Sequence, residues 1–113
     1  MSWKIYHNPN CTKSRKTLEL LRSRGVEPEI IEYLITSPKT DEIKSIIDIL
    51  DVEPQNLVRV KEVDFVNSGI DLGNIDSIAS GIAANPKLLE RPIVLHNGIA
   101  IIGRPPENIE KLF

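Results

Sequence analysis

The single cysteine, Cys11, is the side chain of this sequence best suited to nucleophilic chemistry. It follows the turn-forming segment Asn8-Pro9-Asn10 and precedes a segment with a helical pattern. The first N–H groups of a helix have no internal partners, and the helix dipole adds partial positive charge there. Such a position stabilises a thiolate or a bound oxyanion. We therefore expect a reactive thiol beside an anion-binding helix end; the alternative is a small core residue.

Positive charge is concentrated around this cysteine. Residues 1–18 contain no carboxylate and four basic side chains, whereas the whole chain has a net charge of −2. Acidic residues are normally favoured at the start of a helix, yet here the basic residues occupy it. The four are Lys4, Lys13, Arg15 and Lys16. A bound anion would explain the distribution, and the overall acidity excludes a general nucleic-acid-binding protein.

His7 lies four residues before Cys11, at the end of a predicted strand. A protonated imidazole there would stabilise the thiolate, whereas a neutral imidazole could relay a proton. A histidine that only satisfies a structural hydrogen bond is the alternative. His96 lies beside a predicted hairpin turn and has no comparable surroundings.

The residues that follow Cys11 exclude several cysteine chemistries. Thr17 stands where a tyrosine-phosphatase loop has an arginine, and Ser14 stands where a dithiol site has its second cysteine. With one thiol, the chain forms no internal disulfide and no cysteine-based zinc site, so we predict no metal. Any oxidised or thiolated state of Cys11 must be reduced by another molecule. A lone cysteine also favours a cytoplasmic location.

Three arginines far from Cys11 in sequence are candidate oxyanion ligands: Arg59, Arg91 and Arg104. Arg91 precedes Pro92, which opens a predicted strand, and Arg104 ends another. Sites in open α/β sheets gather at strand ends, and guanidinium groups suit tetrahedral oxyanions. A surface ion pair is the alternative for each arginine, and the sequence alone does not show that the three converge.

Local patterns predict an α/β protein with the order β-α-β, a helical insert, then β-β-α. The first unit is a strand at Trp3–His7, a helix from Thr12 that ends near Gly25, and a strand at Glu29–Tyr33. A strand, a helix and a strand within about 33 residues form a βαβ unit with parallel strands.

The helical insert is predicted at about residues 39–90. One helix has apolar residues at helical spacing from Ile43 to Leu50 after Thr40 as N-cap, and another has them from Ile75 to Ile82 after Asn74. Asn85-Pro86 predicts a short helical turn. Residues 58–68 are predicted to be turns and short helix.

The chain is predicted to close with a hairpin and a helix. Two apolar runs, Ile93–His96 and Ile99–Ile102, flank Asn97-Gly98, which is typical of a type I′ turn. A last helix is predicted at 107–112. With 113 residues, 41% hydrophobic and 27% charged, we expect one globular domain over 1–113. No apolar run reaches the roughly 20 residues of a membrane span, and we expect no leader.

Residues 7–18, His7-Asn8-Pro9-Asn10-Cys11-Thr12-Lys13-Ser14-Arg15-Lys16-Thr17-Leu18, resemble the active-site loop of the glutaredoxin-linked arsenate reductase (ArsC) family. Three later segments resemble its other signatures in the right order: Leu57-Val58-Arg59, Arg91-Pro92-Ile93-Val94 and Gly103-Arg104-Pro105. The resemblance covers nearly the whole chain and is greatest to the shorter ArsC-related members. It implies a thioredoxin-like fold with a mixed sheet and a cis-proline at Pro92 that faces the cysteine loop.

The resemblance also implies a mechanism. Cys11 would be the nucleophile, and Arg59, Arg91 and Arg104 would hold the oxyanion. His7, Ser14, Arg15 and Pro92 would support the site, with His7 lowering the pKa of Cys11. The thiolate would attack arsenate, glutathione would attack the adduct, arsenite would leave, and glutaredoxin would reduce the mixed disulfide. Glutathione would be a co-substrate with no bound cofactor, and the protein would be a cytoplasmic monomer.

The residues around Cys11 are compatible with other functions. Cys11 and Ser14 form a Cys-x-x-Ser pair, as in a glutathione-dependent thiol oxidoreductase of the monothiol glutaredoxin kind. A regulatory protein resembling Spx, which binds RNA polymerase, is a third possibility, although Spx proteins commonly carry a Cys-x-x-Cys switch that is absent here. A purely structural role would leave Cys11 unreactive.

Overall fold

The computed structural model describes residues 2–113. The chain divides into two compact units: residues up to Thr36 together with Arg91–Phe113, and the intervening Ser37–Glu90. The second unit ends at the same residue as the predicted insert and begins two residues before it. That residues 1–113 form a single domain remains a prediction.

The first unit contains a four-stranded mixed sheet with the strand order β2-β1-β3-β4. The strands are β1 (Trp3–Tyr6), β2 (Glu29–Ile31), β3 (Ile93–His96) and β4 (Ile99–Ile102). β1 pairs in parallel with β2 and antiparallel with β3, which pairs antiparallel with β4. The predicted α/β class, βαβ unit and mixed sheet are therefore confirmed.

Helix α1 (Thr12–Ser23) connects β1 to β2. Its residues Leu18 and Leu21 enter the core of the first unit, together with residues of the sheet and of the closing segment: Ile5, Val94, Ile101 and Ile109. The helix ends in a Schellman motif, because the N–H groups of Gly25 and Val26 donate to the carbonyl oxygens of Arg22 and Leu21. Gly25 has a φ of +80°, which explains the glycine one residue after the C-cap.

The hairpin of β3 and β4 is confirmed in detail. Asn97 and Gly98 have φ values of 55° and 75°, as a type I′ turn requires. The closing segment differs from the predicted helix, since Pro106–Leu112 is a 3-10 helix. It begins directly after Pro105, and the N–H of Asn108 donates to the Pro105 oxygen three residues back.

The second strand is shorter than predicted. It was expected to reach Tyr33 but ends at Ile31. The carbonyl oxygen of Glu32 accepts hydrogen bonds from the N–H groups of Ile35 and Thr36, both at 2.9 Å, so the chain turns there. Tyr33 is buried in this turn rather than in the sheet.

In the second unit, α2 (Thr40–Ile49) packs against α3 (Ile75–Ala84). Most of the periodic apolar residues face the interior, because Ile43, Ile46, Ile47, Ile78, Ala79 and Ile82 are buried. At the ends of the two predicted sets, Ile75 is exposed and Leu50 is half-buried. Three short 3-10 helices, Pro54–Leu57, Val63–Phe65 and Pro86–Leu88, complete this unit. The turns and short helix predicted for 58–68, and the helical turn at Asn85-Pro86, are confirmed.

One of the two predicted helix N-caps is wrong. Asn74 caps α3, and its side-chain oxygen accepts from the N–H of Ser77 at 3.0 Å. Thr40, in contrast, is the first residue of α2, and Lys39 is the N-cap without a side-chain hydrogen bond. Asp41 and Glu42 lie in that first turn, where their charges stabilise the positive end of the helix dipole.

Candidate active site

Cys11 is the N-cap residue of α1. Its backbone is extended, its N–H donates to the carbonyl oxygen of Asn8, and its own carbonyl oxygen accepts from Arg15. The residue is half-buried, which does not fit the alternative of a small core side chain. Its place at the start of the helix is the one that the loop-to-helix pattern predicts.

The surroundings of Cys11 favour the thiolate. Burial is the largest single influence and raises the pKa of the thiol, but four groups act in the opposite direction. These are the backbone N–H groups of Ser14 and Lys13 and the guanidinium groups of Arg91 and Arg104. Their combined effect holds the pKa of Cys11 below that of an ordinary thiol, because positive charge and N–H donors stabilise the ionised sulfur.

His7 contacts the helix through Ser14. The Nδ1 atom of His7 lies 2.6 Å from Oγ of Ser14, and the same hydroxyl oxygen accepts from the N–H of Asn8 at 3.0 Å. Both His7 and Ser14 are buried. The hydroxyl therefore ties the end of β1, the loop and the first turn of α1 together.

The charge state of His7 decides how it can act on the site. Burial lowers the pKa of His7; Glu32 raises it to a smaller extent, and Arg22 and Arg15 lower it further. The neutral imidazole is thus favoured near neutral pH. His7 acts on the loop through its hydrogen bond with Ser14, whose backbone N–H faces the sulfur of Cys11. The role of His7 in lowering the pKa of Cys11 remains a prediction.

Arg15 holds the loop from its exposed side. Its Nη1 donates to the carbonyl oxygen of Pro9 at 2.8 Å, and its Nη2 donates to Oγ1 of Thr12 at 3.3 Å. The first turn of α1 contains no acidic residue, so the predicted excess of positive charge is present in the structure. The guanidinium group of Arg15 therefore links Pro9, which precedes Cys11, to Thr12, which follows it.

Arg91 and Arg104 come from the ends of adjacent strands. Residues Ile93 of β3 and Ile102 of β4 are paired, so the chain just before β3 and the chain just after β4 lie at one end of the sheet. Nη1 of Arg104 donates to the carbonyl oxygen of Arg91 at 3.2 Å. Both guanidinium groups act on Cys11, so the structure brings together two of the three predicted arginines.

Pro92 follows a cis peptide bond, as the family resemblance implied. The N–H of Gly103 donates to the Pro92 carbonyl oxygen at 2.9 Å. A Cβ atom on Gly103 would lie 2.7 Å from Oγ1 of Thr17 and 2.9 Å from Cγ of Pro92. Only glycine fits this contact between α1 and the strand ends that carry the arginines.

Thr17 and Gly103 also contribute to this region, although neither was predicted to have a role in the site. Thr17 is buried, and its hydroxyl donates to the carbonyl oxygen of Lys13 at 2.8 Å. Ser14 and Thr17 extend the buried stripe of Leu18 and Leu21 toward the start of α1, with the spacing of one helix face. In the sequence, two polar residues within an otherwise apolar helix face could have indicated that the start of α1 packs against other polar groups.

Arg59 belongs to the second unit, Ser37–Glu90. Its Nη1 donates to the carbonyl oxygen of Lys87 at 3.1 Å and lies 3.5 Å from a carboxylate oxygen of Glu62. Its backbone N–H donates to Leu88, and an isolated bridge joins Val58 to Leu89. The predicted role of Arg59 in binding an oxyanion remains a prediction.

The arrangement can hold and use an anion. A sulfur favoured as thiolate can attack an electrophilic centre, and two guanidinium groups beside it can bind the oxygens of a tetrahedral oxyanion. Within residues 2–113, no group of three or more His, Cys, Asp and Glu side chains could hold a metal ion. No helix in the described part of the chain has the length and apolar character needed to cross a membrane.

Comparison with known proteins identifies the fold and the family of the chain. In its fold, the chain superimposes on a solved structure, "Arsenate reductase from Vibrio cholerae", with a TM-score of 0.92 and 43% identity, covering 100% of this chain and 98% of that one. The fold is thus the thioredoxin-like fold of such proteins. The model of the ArsC family matches residues 6–112, and the chain belongs to that family.

Two curated relatives are similar over nearly their whole length. A protein of Neisseria meningitidis named "Arsenate reductase" is 47% identical over 110 residues, which cover 95% of this chain and 94% of that protein. A Haemophilus influenzae protein with the same name is 39% identical over 114 residues, which cover 96% and 97%. The family resemblance stated from the sequence motifs is therefore confirmed.

Proposed function

We propose that this protein reduces arsenate to arsenite, with Cys11 as the nucleophile and with glutathione and glutaredoxin as external reductants. The observation that supports this most directly is the half-buried sulfur at the start of α1, faced by the N–H groups of Ser14 and Lys13 and by two guanidinium groups. The names of the similar proteins from Neisseria, Haemophilus and Vibrio support arsenate as the substrate.

In the first step, Arg91 and Arg104 bind arsenate oxygens, and the Cys11 thiolate attacks arsenic. A sulfur–arsenic bond forms, and one arsenate oxygen leaves as water after taking up protons. The guanidinium groups balance the negative charge that thiolate and arsenate bring together, which would otherwise oppose the attack. The family resemblance adds Arg59 to this set, and we retain it as part of the proposal.

In the second step, the glutathione thiol attacks the adduct. Cys11 and glutathione end as a mixed disulfide, arsenite leaves, and the two electrons lost by the two sulfurs reduce arsenic from the +5 to the +3 state. Since the chain has one cysteine, a second external thiol must cleave the mixed disulfide. Glutaredoxin would take the glutathione moiety and return Cys11 to the thiol. This chemistry requires a reducing, glutathione-containing compartment, which fits a cytoplasmic location, and we propose that the protein acts as a monomer.

A coupled assay tests the proposed reaction. With glutathione, glutaredoxin, glutathione reductase and NADPH present, we expect NADPH consumption that depends on arsenate. Cys11→Ser should reduce it to the background rate while the far-UV circular dichroism spectrum stays unchanged. Absence of turnover by the wild type, or turnover that survives in Cys11→Ser, would refute the proposal.

The ionisation of Cys11 can be tested without arsenate. The rate of alkylation by iodoacetamide should rise with pH around a midpoint below the value of about 8.5 for a free cysteine. Arg91→Gln and Arg104→Gln should each move this midpoint upward, because each removes a positive charge near the sulfur. Lys39→Gln, which removes an exposed charge in the second unit, is the matched control. An unshifted wild-type midpoint would contradict the proposed site.

A second function is favoured by the Cys-x-x-Ser sequence of Cys11 and Ser14, in which the backbone N–H of Ser14 faces the sulfur, within a thioredoxin-like fold that has a cis-proline at Pro92. A monothiol oxidoreductase would use the same thiolate to remove glutathione from a glutathionylated protein. Release of glutathione from such a substrate, combined with no turnover of arsenate, would select this function over arsenate reduction.

A further inference from the structure

A groove of about 540 Å³ runs along one face of α1 in the first unit. One wall is formed by Lys13, Lys16 and Leu20, and the other by Pro105, Pro106 and Glu107. Its volume is within the range of small-molecule sites, about 300–1,000 Å³. The oxyanion chemistry described above uses none of these side chains.

Both walls of the groove continue from the candidate active site. The N–H of Lys13 faces the sulfur of Cys11, and Pro105 directly follows Arg104. From Lys13 to Leu20 the helix rises about 10 Å. A fully extended tripeptide has about the same length. A short peptide thiol lying in the groove could therefore keep its sulfur near Cys11.

The charges of the groove also fit one class of ligand. Lys13 and Lys16 are exposed, and neither forms an ion pair with another residue of the 2–113 segment. Glu19 and Glu107 supply two carboxylates on the same groove, and Leu20 with the two prolines supplies an apolar surface. Glutathione carries two carboxylates and one ammonium group, separated by two amides and a thiol-bearing centre.

We propose that this groove is the binding site of glutathione, with its carboxylates at Lys13 and Lys16 and its ammonium group at Glu19 and Glu107. The assignment rests on the proposed function, which requires a glutathione thiol at Cys11. It names the surface that recognises the reductant, separate from the arginines that recognise the oxyanion.

Direct binding provides the first test. The Cys11→Ser protein, labelled with ¹⁵N, is titrated with S-methylglutathione, which cannot exchange disulfides. Backbone amide shifts should move with saturation at Lys16, Leu20 and Glu107, and the same titration of Lys13→Gln/Lys16→Gln should show binding weakened several-fold. No saturable shifts, or shifts confined to residues away from the groove, would overturn the assignment.

Disulfide exchange provides the second test, again without arsenate. The Cys11 thiolate attacks one sulfur of oxidised glutathione, the disulfide breaks, a glutathione thiolate leaves, and the Cys11–glutathione mixed disulfide forms. Bis(2-hydroxyethyl) disulfide undergoes the same exchange but carries no charge. In Lys16→Gln we expect the rate with oxidised glutathione to fall about two- to fivefold, as one exposed ionic contact predicts, and the rate with the neutral disulfide to stay unchanged.

Lys39→Gln is the charge-matched control and should change neither rate. Equal losses with both disulfides would mean that Lys16 acts on the thiol itself, and no loss with either would mean that it does not contact glutathione. Both results would overturn the groove assignment. Failure of arsenate turnover would refute the proposed function without affecting these two measurements, so the two failures are distinguishable.

Discussion

The two ends of the strand pair β1 and β3 differ in their role. One end carries the candidate active site, and the other end carries an aromatic cluster that contributes to stability. At one end, β1 leads into His7 and the cysteine loop, and β3 begins after Arg91 and Pro92. At the other end, Trp3 pairs with His96 across the same two strands, and the two rings stack with centroids 3.7 Å apart. The first end is built from buried polar groups and backbone N–H donors, and the second from aromatic contacts at the surface.

The two histidines show the difference most clearly. His7 is buried, its pKa is lowered, and it lies against Ser14. His96 is partly exposed, stacks on Trp3, and its Nδ1 lies 2.9 Å from the carbonyl oxygen of Ser2. The same residue type therefore organises a reactive loop at one end and completes an aromatic cluster at the other. Substitutions at the two ends should separate effects on the thiol from effects on stability.

The largest effect on stability is expected at Ser14. Ser14→Ala should lower the free energy of unfolding by about 2–3 kcal/mol, because the buried Nδ1 of His7 and the N–H of Asn8 lose their partner together. It should also slow alkylation of Cys11. Urea unfolding and iodoacetamide kinetics measure the two effects. Ser45→Ala, at an exposed serine in α2, is the control and should change stability by less than about 0.5 kcal/mol.

Gly103 should rank second. Gly103→Ala places a methyl group 2.7 Å from Oγ1 of Thr17 and 2.9 Å from Cγ of Pro92, and should lower the free energy of unfolding by about 1–2 kcal/mol. The double variant Gly103→Ala/Thr17→Ala removes the nearer obstacle and should lose less than the sum of the two single changes. Simple additivity in that double-mutant cycle would contradict the packing role of Gly103.

Substitutions at the end of the sheet that carries Trp3 and His96 should change stability without changing the reactivity of Cys11. The ring of Phe113 lies 4.9 Å from that of Trp3, and the guanidinium group of Arg24 lies 4.1 Å from the Phe113 ring centroid. Phe113→Ala should lower the free energy of unfolding by about 1 kcal/mol, since both contacts are partly exposed. The alkylation rate of Cys11 should stay at the wild-type value. A slower rate would show that changes at the aromatic end of the sheet affect the reactivity of Cys11, and it would contradict the separation of the two ends.

The smallest effect is expected from the titration of His7. Its pKa in the folded protein is lowered, whereas in the unfolded chain it is about 6.5. Between these two values the unfolded chain binds more protons, so stability should fall as the pH decreases below about 6.5. His7→Gln should remove this part of the pH dependence of urea unfolding, and His96→Gln should keep it. A fall that is unchanged in His7→Gln would assign the effect to another group.

Much of the fold could be predicted from local sequence patterns. The Asn97-Gly98 turn, the loop before α1 and the periodic isoleucines of α2 each have a short-range physical cause, and all three were predicted correctly. The end of β2 and the cap of α2 were missed, because backbone hydrogen bonds of Glu32 and an extended Lys39 decide them. Neither has a distinctive residue type in the sequence.

The candidate site was predictable in its residues but not in its contacts. Cys11 and the flanking basic residues could be recognised from their spacing, and Arg91 and Arg104 from their places at strand ends. That His7 meets Ser14, and that Gly103 fits between Thr17 and Pro92, depends on how α1 lies against the sheet. Such contacts between distant segments are set by packing geometry, which residue spacing along one chain does not specify.

The two-residue turn at Asn97-Gly98 controls the spacing of groups that lie at the opposite end of its hairpin. It fixes the pairing of Ile93 with Ile102, and that pairing sets Arg91 and Arg104 on adjoining strand ends. A slip of one residue in a strand pair turns every side chain to the other face. An insertion at the tip that shifted this pairing by one residue would therefore carry Arg104 away from the sulfur, although it would alter no residue near it.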